Sequence, residues 1–130
     1  MKHVEGEVGR IVFAHLEKGD DLLLSVKKLA EDRDIKAGAW YAIGTLSKAR
    51  FYFYRPKPNP ITLEEPLEIV ACSGSISHHD GEADVHGHID VTDSEFKSRG
   101  GHLLEGNIVD AMAFLTIFEM KGADPSQIGL

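Results

Sequence analysis

The dipeptide Asp80-Gly81 is the feature that most constrains how this chain folds. Aspartate followed by glycine is typical of a two-residue β-turn, because both residues tolerate the positive φ angles of a type I′ turn. Polar and apolar side chains alternate on either side of the dipeptide, as they do along the strands of a half-buried hairpin. The sequence therefore predicts a β-hairpin centred on this turn, with His79 opposite Glu82.

The turn also fixes the register of the hairpin, since each further pair lies one residue outward on both strands. One face then carries His79–Glu82, Ser77–Asp84, Ser75–His86 and Ser73–His88, followed by Ala71–Asp90. The opposite face carries His78–Ala83, Ile76–Val85, Gly74–Gly87, Cys72–Ile89 and Val70–Val91. A slip of one residue would place histidines opposite isoleucine and valine, so the separation of polar from apolar pairs favours this register.

Two histidines on the polar face suggest a metal site. His86 and His88 are two positions apart on one strand and therefore point the same way. Two such imidazoles bind one metal ion when a third ligand joins them, and zinc commonly takes neutral histidine nitrogens. The small side chains of Ser73 and Ser75 leave space opposite them for an ion, a water or a small ligand.

His102 is the predicted third ligand. It follows Gly100-Gly101, where the absence of side chains allows a close backbone approach, and it opens a predicted strand from His102 to Val109. Three histidines match the protein ligands of catalytic zinc sites that keep a fourth position open. The alternative interpretation is a solvent-exposed sheet face with incidental histidines, and a His-x-His pair alone does not decide between the two.

The two histidines beside the turn and the cysteine have simpler interpretations. His78 and His79 flank the turn and are predicted to lie at the surface. Cys72 belongs to the apolar face of the hairpin, which predicts a small buried side chain and not a nucleophile or a metal ligand.

The rest of the chain predicts one long helix and several strands. A helical period of apolar residues runs over about 20–33, and Gly44 marks a bulge or bend in a long strand. Strands are predicted over Glu7–Leu16, Ala39–Tyr54, Ala111–Met120 and from about Leu67. Three prolines in Arg55–Pro60 predict a loop or extended arm outside the sheet ladder, and 122–130 is predicted to be a tail.

Length and charge limit the function. A chain of 130 residues predicts a single domain, with a core from about residue 7 to 120. Fourteen basic against twenty-one acidic residues give a net charge of −7, which disfavours proteins that bind DNA mainly through phosphates. One cysteine closes no disulfide within the chain, and the start MKHVEGEVGR lacks the apolar run of a secretory signal or membrane span. These features predict a cytoplasmic protein.

Several segments taken together resemble the plant and prokaryote conserved (PPC) domain over Glu7 to Met120. They are GDDLLLSVKKLAE, AIGTLSKARF, LEIVACSGSIS, VHGHIDVTD and GGHLLEGNIV, and the histidine motifs within the last two are the most distinctive. The resemblance implies an α/β domain of the α+β kind, in which a strongly bent, mostly antiparallel or mixed β-sheet packs on one main helix. It also implies a homotrimer.

The resemblance bears on partners and on the metal as well. Plant forms accompany AT-hook segments and prokaryotic forms are often labelled DNA-binding, but the Arg-Gly-Arg-Pro core of an AT-hook does not occur here. The fold is also similar to that of acetolactate decarboxylase, which holds zinc with a His-x-His pair and a further histidine. Carried over by position, that ligand set corresponds to His86, His88 and His102.

Two function classes follow. The first is an oligomeric binding module, for protein, a small ligand or DNA, in which zinc or a similar divalent metal is structural or regulatory. The second is a metal-dependent enzyme, of lyase or hydrolase type, that acts on a small keto or hydroxy acid. Besides Ser73 and Ser75, the candidates for its ligand pocket are Glu105 for proton transfer and Arg99 for a substrate carboxylate.

Overall fold

The computed structural model describes all residues from Met1 to Leu130, and strands account for most of them. Seven strands, one α-helix and one short 3-10 helix follow one another along the chain. They are β1 (Glu7–Glu17), α1 (Leu22–Asp32), β2 (Gly38–Phe53), β3 (Asn59–Leu63), β4 (Leu67–His79), β5 (Glu82–Thr92), β6 (Ser98–Leu103), β7 (Ile108–Lys121) and η1 (Pro125–Ile128). No helix has both the length and the apolar character needed to span a bilayer.

The strands form one strongly bent sheet, as the family resemblance implies. The strand order is β1-β7-β2-β4-β5-β6; β3 pairs with β2, and β6 also pairs with the end of β2. All of these pairings are antiparallel. Strand β2 pairs with β7 and β4 through its first half and with β3 and β6 through its second half. The sheet therefore curls around β2.

Gly44 produces the predicted irregularity in β2. Its φ angle is +147°, and the pairing of β2 shifts register beside it toward both β4 and β7. A Cβ atom at this position would lie 2.5 Å from the Cα of Ala113 and from the carbonyl oxygen of Met112. Glycine therefore allows both the bend and the close approach of the neighbouring strand.

Helix α1 closes one side of the bent sheet and lies within the predicted range. Asp21 caps its first turn by accepting a hydrogen bond from the Leu24 N–H at 3.1 Å. Leu22, Val26 and Ala30 recur at helical spacing and are fully buried against the sheet. They join a core of 23 buried side chains that also includes Trp40.

The prediction that the proline-rich segment stays outside the sheet is wrong at its end. Asn59 and Pro60 begin β3, where they pair with Phe53 and Tyr52 of β2. Proline has no N–H group to donate. A strand therefore tolerates it only at a position where an N–H would have no hydrogen-bond partner in the sheet. Strand β3 meets this condition because it pairs with β2 alone and lies at an edge.

The prediction of one strand from His102 to Val109 is also wrong. His102 lies near the end of β6, and β7 begins only at Ile108. The intervening turn includes Gly106, whose φ angle is +105°, and the fully buried Asn107. The side-chain amide of Asn107 takes the place of backbone hydrogen bonds between strands here. It donates to the carbonyls of Arg50 and Leu104 and accepts from the Arg50 N–H.

The predicted tail has some structure of its own. Residues Pro125–Ile128 form a 3-10 helix, and the Asp124 side chain accepts from the Ser126 N–H at 3.0 Å to cap it. Pro125 is buried. The segment after Gly122 therefore packs back onto the protein, where the Leu130 carbonyl oxygen lies 2.9 Å from the His79 Nε2 atom.

Candidate metal centre

The β4–β5 hairpin has the turn and nearly all of the register that the sequence predicts. Asp80 and Gly81 have φ angles of +51° and +88°, as a type I′ turn requires. The predicted pairs hold from His79–Glu82 outward to Ala71–Asp90. The predicted pairing of Val70 with Val91 is wrong, because a bulge makes Ile69 the partner of Val91 and leaves Val70 exposed.

Three histidines converge on the outer face of the sheet. His86 and His88 lie side by side on β5, and β6 places His102 directly opposite His88. One ring nitrogen of each lies within 4.8 Å of the corresponding atoms of the other two. The ring centroids are 4.6 Å apart for His86 and His102, 5.3 Å for His86 and His88, and 5.5 Å for His88 and His102.

Glycines allow the strands around these histidines to approach closely. A Cβ atom on Gly74 or Gly100 would overlap the backbone of β5, at the carbonyl of His86 or of Ile89. A Cβ on Gly101 would lie 2.6 Å from the carbonyl oxygen of Tyr52. The diglycine before His102 therefore has the predicted role, since it lets β6 pair with both β5 and β2.

Trp40 packs against the β4–β5 hairpin from the other side of the sheet. A Cβ atom on Gly87, the residue between the two β5 histidines, would lie 2.5 Å from the Trp40 ring. The indole is buried, and its Nε1 atom has no hydrogen-bond partner within the chain. The ring therefore packs directly behind the pair formed by His86 and His88.

The electrostatics of the cluster favour a neutral imidazole at His102. Burial lowers the pKa of His102, and the neighbouring His86 and His88 lower it further. Neutral imidazole is the form that binds a metal. Three neutral nitrogen ligands at the surface suit zinc, which would keep a fourth position open for water or a ligand, so the residues present fit such an ion.

A depression of about 430 Å³ adjoins the cluster at His88. Ser73, Asp90, Gly100 and Gly101 line it together with that histidine, as do Ala71 and Ile89. Ser75 lies one pair along the hairpin, opposite His86. Of the two serines suggested as pocket residues, Ser73 therefore lines this depression and Ser75 does not.

Two of the predicted pocket residues lie elsewhere. Glu105 is exposed in the turn after β6, outside the residues that line the depression. Arg99 pairs with Val91 on the opposite face of β6 from His102, and its guanidinium lies 3.8 Å from the Asp93 carboxylate. The proton-transfer and carboxylate-binding roles suggested for them have no support from these positions.

The two histidines beside the turn and the cysteine stand apart from the cluster. The His78 Nε2 atom lies 3.4 Å from the Lys36 Nζ atom, and His79 contacts the C-terminal segment. Cys72 is buried, and burial raises the pKa of its thiol to about 12. That thiol is neither a metal ligand of this cluster nor a reactive group.

Two neighbours of the cluster were missed by sequence reasoning. Asp90 continues the alternation of His86 and His88 and faces the same depression, a signal already present in the hairpin register. The Tyr52 ring lies 4.6 Å from the His102 ring. This contact depends on the pairing of β2 with β6, which no local pattern indicates.

Comparison with known proteins agrees with the resemblance. The model of the Plants and Prokaryotes Conserved (PCC) domain matches residues 3–121. The bifunctional protein GlmU of Synechococcus sp. (strain JA-3-3Ab) is 32% identical over 109 residues. The match includes 83% of this chain, but the chain spans only about 17% of the length of that relative.

Solved structures with the same fold differ in what their names state. The metal-containing protein AF0104 from Archaeoglobus fulgidus has a TM-score of 0.83 and 28% identity, over 95% of this chain and 89% of that one. A "putative DNA-binding protein" from Ralstonia eutropha JMP134 has a TM-score of 0.76 and 31% identity, over 85% of this chain and 77% of that one.

A Staphylococcus aureus protein similar to α-acetolactate decarboxylase shares the fold alone. It has 16% identity and a TM-score of 0.58, over 88% of this chain and 53% of that one. The family model, in contrast, includes the whole sheet and all three clustered histidines. The chain therefore belongs to the Plants and Prokaryotes Conserved domain family.

Proposed function

We propose that this chain is a zinc-binding module in which His86, His88 and His102 hold the ion. The observation that carries the proposal is the convergence of their three ring nitrogens within 4.8 Å. A solved relative named as metal-containing supports it. When bound, zinc would supply a Lewis acid that polarises a carbonyl group or lowers the pKa of a bound water.

Elemental analysis tests this proposal. We expect protein purified without added metal to carry about one zinc or similar divalent ion per chain, because three preformed imidazole ligands bind such ions tightly. His86→Ala, His88→Ala and His102→Ala should each lose most of the metal. His78→Ala is the matched control, since His78 belongs to the same hairpin but lies outside the cluster. Metal-free wild type, or unchanged metal in all three variants, would contradict the proposal.

We further propose that the module is a homotrimer that uses its outer apolar face. This face comprises neighbouring side chains of β1, β7 and β2 that one chain leaves uncovered, namely Ile11, Phe13, Ile43, Met112, Phe114 and Phe118. Phe13 is 77% exposed and Ile43 is 54% exposed. Apolar patches of this kind mark association surfaces in soluble proteins. The number of copies follows the family resemblance.

Light scattering should give the mass of three chains. Phe13→Asp should shift the protein toward a single chain, because it places a charge within the buried contact. Phe96→Asp is the control: Phe96 is equally large and 89% exposed, but it lies in the loop between β5 and β6. A wild-type mass of one chain would refute the trimer.

Binding to duplex DNA is the weaker candidate for this module. The name of one relative suggests it, but the net charge of −7 opposes it. An affinity that rises steeply as the salt concentration falls would favour DNA over the other partners.

A metal-dependent enzyme is the second candidate, and the depression beside His88 favours it. An open coordination position next to a cavity is the arrangement of catalytic zinc sites. The Ser73 hydroxyl and the Asp90 carboxylate are the side-chain groups there that could orient a substrate. Turnover of a small keto or hydroxy acid that stops when a chelator is added would support this candidate.

A further inference from the structure

The depression beside the histidine cluster has a distinctive charge. Asp90 is the only one of the seven lining residues with an acidic or basic side chain other than His88 itself. Asp90 takes part in none of the salt bridges of the chain. Lys97, the cation nearest to Asp90 in the sequence, lies 3.0 Å from the Glu95 carboxylate, and Arg99 points to the opposite face and lies beside Asp93. An unneutralised carboxylate therefore faces the depression.

The position of Asp90 sets the size of a ligand that could contact both the histidine cluster and the Asp90 carboxylate. Residues two apart on a strand are separated by about 6.7 Å between Cα atoms and point the same way. Asp90 has this relation to His88, and its cross-strand neighbours Ala71 and Gly100 are too small to cover it. A molecule of about five or six heavy atoms would therefore reach from the histidine cluster to the Asp90 carboxylate.

Resting on the proposed zinc centre, we propose that this depression takes a small ligand with an anionic oxygen group at one end and an amino group at the other. The oxygen group belongs at the histidine cluster, where three neutral ligands leave the charge of a divalent ion uncompensated. The ammonium group belongs at Asp90, where it forms a charge-assisted hydrogen bond. A dicarboxylic acid is disfavoured, because its second carboxylate meets Asp90.

Two probes of equal chain length distinguish a ligand with an amino group from a dicarboxylic acid. β-Alanine carries a carboxylate and an ammonium group, whereas succinate carries two carboxylates. Titration calorimetry on the zinc-loaded protein should show β-alanine binding about tenfold more tightly, as expected for one attractive against one repulsive contact in a partly screened site. Equal binding of the two probes, or a preference for succinate, would overturn the inference.

Substitution of Asp90 gives the sharper test. Asp90→Asn should abolish most of the preference for β-alanine and leave the zinc content unchanged. Asp84→Asn is the matched control, because Asp84 lies on the same face of β5 but outside the depression, and the net charge changes equally. It should keep the preference. An Asp90→Asn protein that keeps the preference, or that loses its zinc, would overturn the assignment of Asp90 to the ligand.

Zinc analysis of each sample identifies which proposal fails. Wild type that takes up no zinc contradicts the metal centre and this inference together. Wild type that binds one zinc per chain but does not prefer β-alanine contradicts only the role given to Asp90.

Discussion

Replacing Gly74 by alanine is expected to unfold the β4–β5 hairpin locally and to abolish tight zinc binding. The new Cβ atom would overlap the carbonyl group of His86, and it would lie 2.7 Å from the Cα of Gly87. These are backbone atoms, so no side-chain rotation relieves the contact, and the strands must separate where two of the three histidines are held. We expect a loss of about 3 kcal/mol of stability and at least a tenfold loss of zinc affinity.

Urea unfolding and competition with a chromophoric zinc chelator measure the two effects. Gly81→Ala is the matched control in the same hairpin, since a Cβ at Gly81 meets nothing within 4 Å. Its cost of about 1 to 2 kcal/mol comes only from the positive φ angle, and zinc binding should persist. If Gly74→Ala binds zinc as tightly as Gly81→Ala does, close strand approach is not what positions the histidines.

Replacing Asn107 by alanine is expected to destabilise the protein by about 3 kcal/mol or more. The side chain is fully buried, and its amide makes three hydrogen bonds of 2.7 to 3.0 Å to the backbone of Arg50 and Leu104. Alanine would leave these buried donors and acceptors without partners, and each unpaired group costs about 1 to 3 kcal/mol. The midpoint of urea unfolding measures the change.

Ser47→Ala provides a control for Asn107. Ser47 also links β2 to the start of β7, but its hydroxyl lies 3.5 Å from the Ile108 carbonyl oxygen and is exposed. We expect that variant to stay within about 0.5 kcal/mol of wild type. An Asn107→Ala protein with an unchanged urea midpoint would show that water or a rearranged turn replaces the lost bonds.

The hairpin could be predicted from the sequence because residues close together in the chain determine its turn and its register. Asp80-Gly81 sets the turn, and the alternation on both sides sets the faces, so the placement of His86 and His88 needs no distant residue. The diglycine before His102 predicts a close approach, and the approach is present. The helix is equally local, with its apolar period and its Asp21 cap.

Other features depend on pairings that the local pattern does not encode. Pro60 joins the sheet because β3 is an edge strand, a property of the assembled sheet and not of the proline-rich segment. Strand β6 ends just after His102, because the turn that follows is held by Asn107, which bonds to Arg50, 57 positions earlier in the chain. The bulge at Val70 places Ile69 in the core, a choice that depends on the shape of the bent sheet.

The three clustered histidines all come from the short stretch 86–102, whereas β1 and β7 join residues as distant as Glu7 and Lys121. Loop closure across the meander β4–β5–β6 costs little entropy compared with closure between the ends of the chain. Because β1 pairs only with β7, at the edge far from β5, fraying of that strand leaves the imidazoles in place. Amide protons of β1 should therefore exchange with solvent without releasing a bound ion.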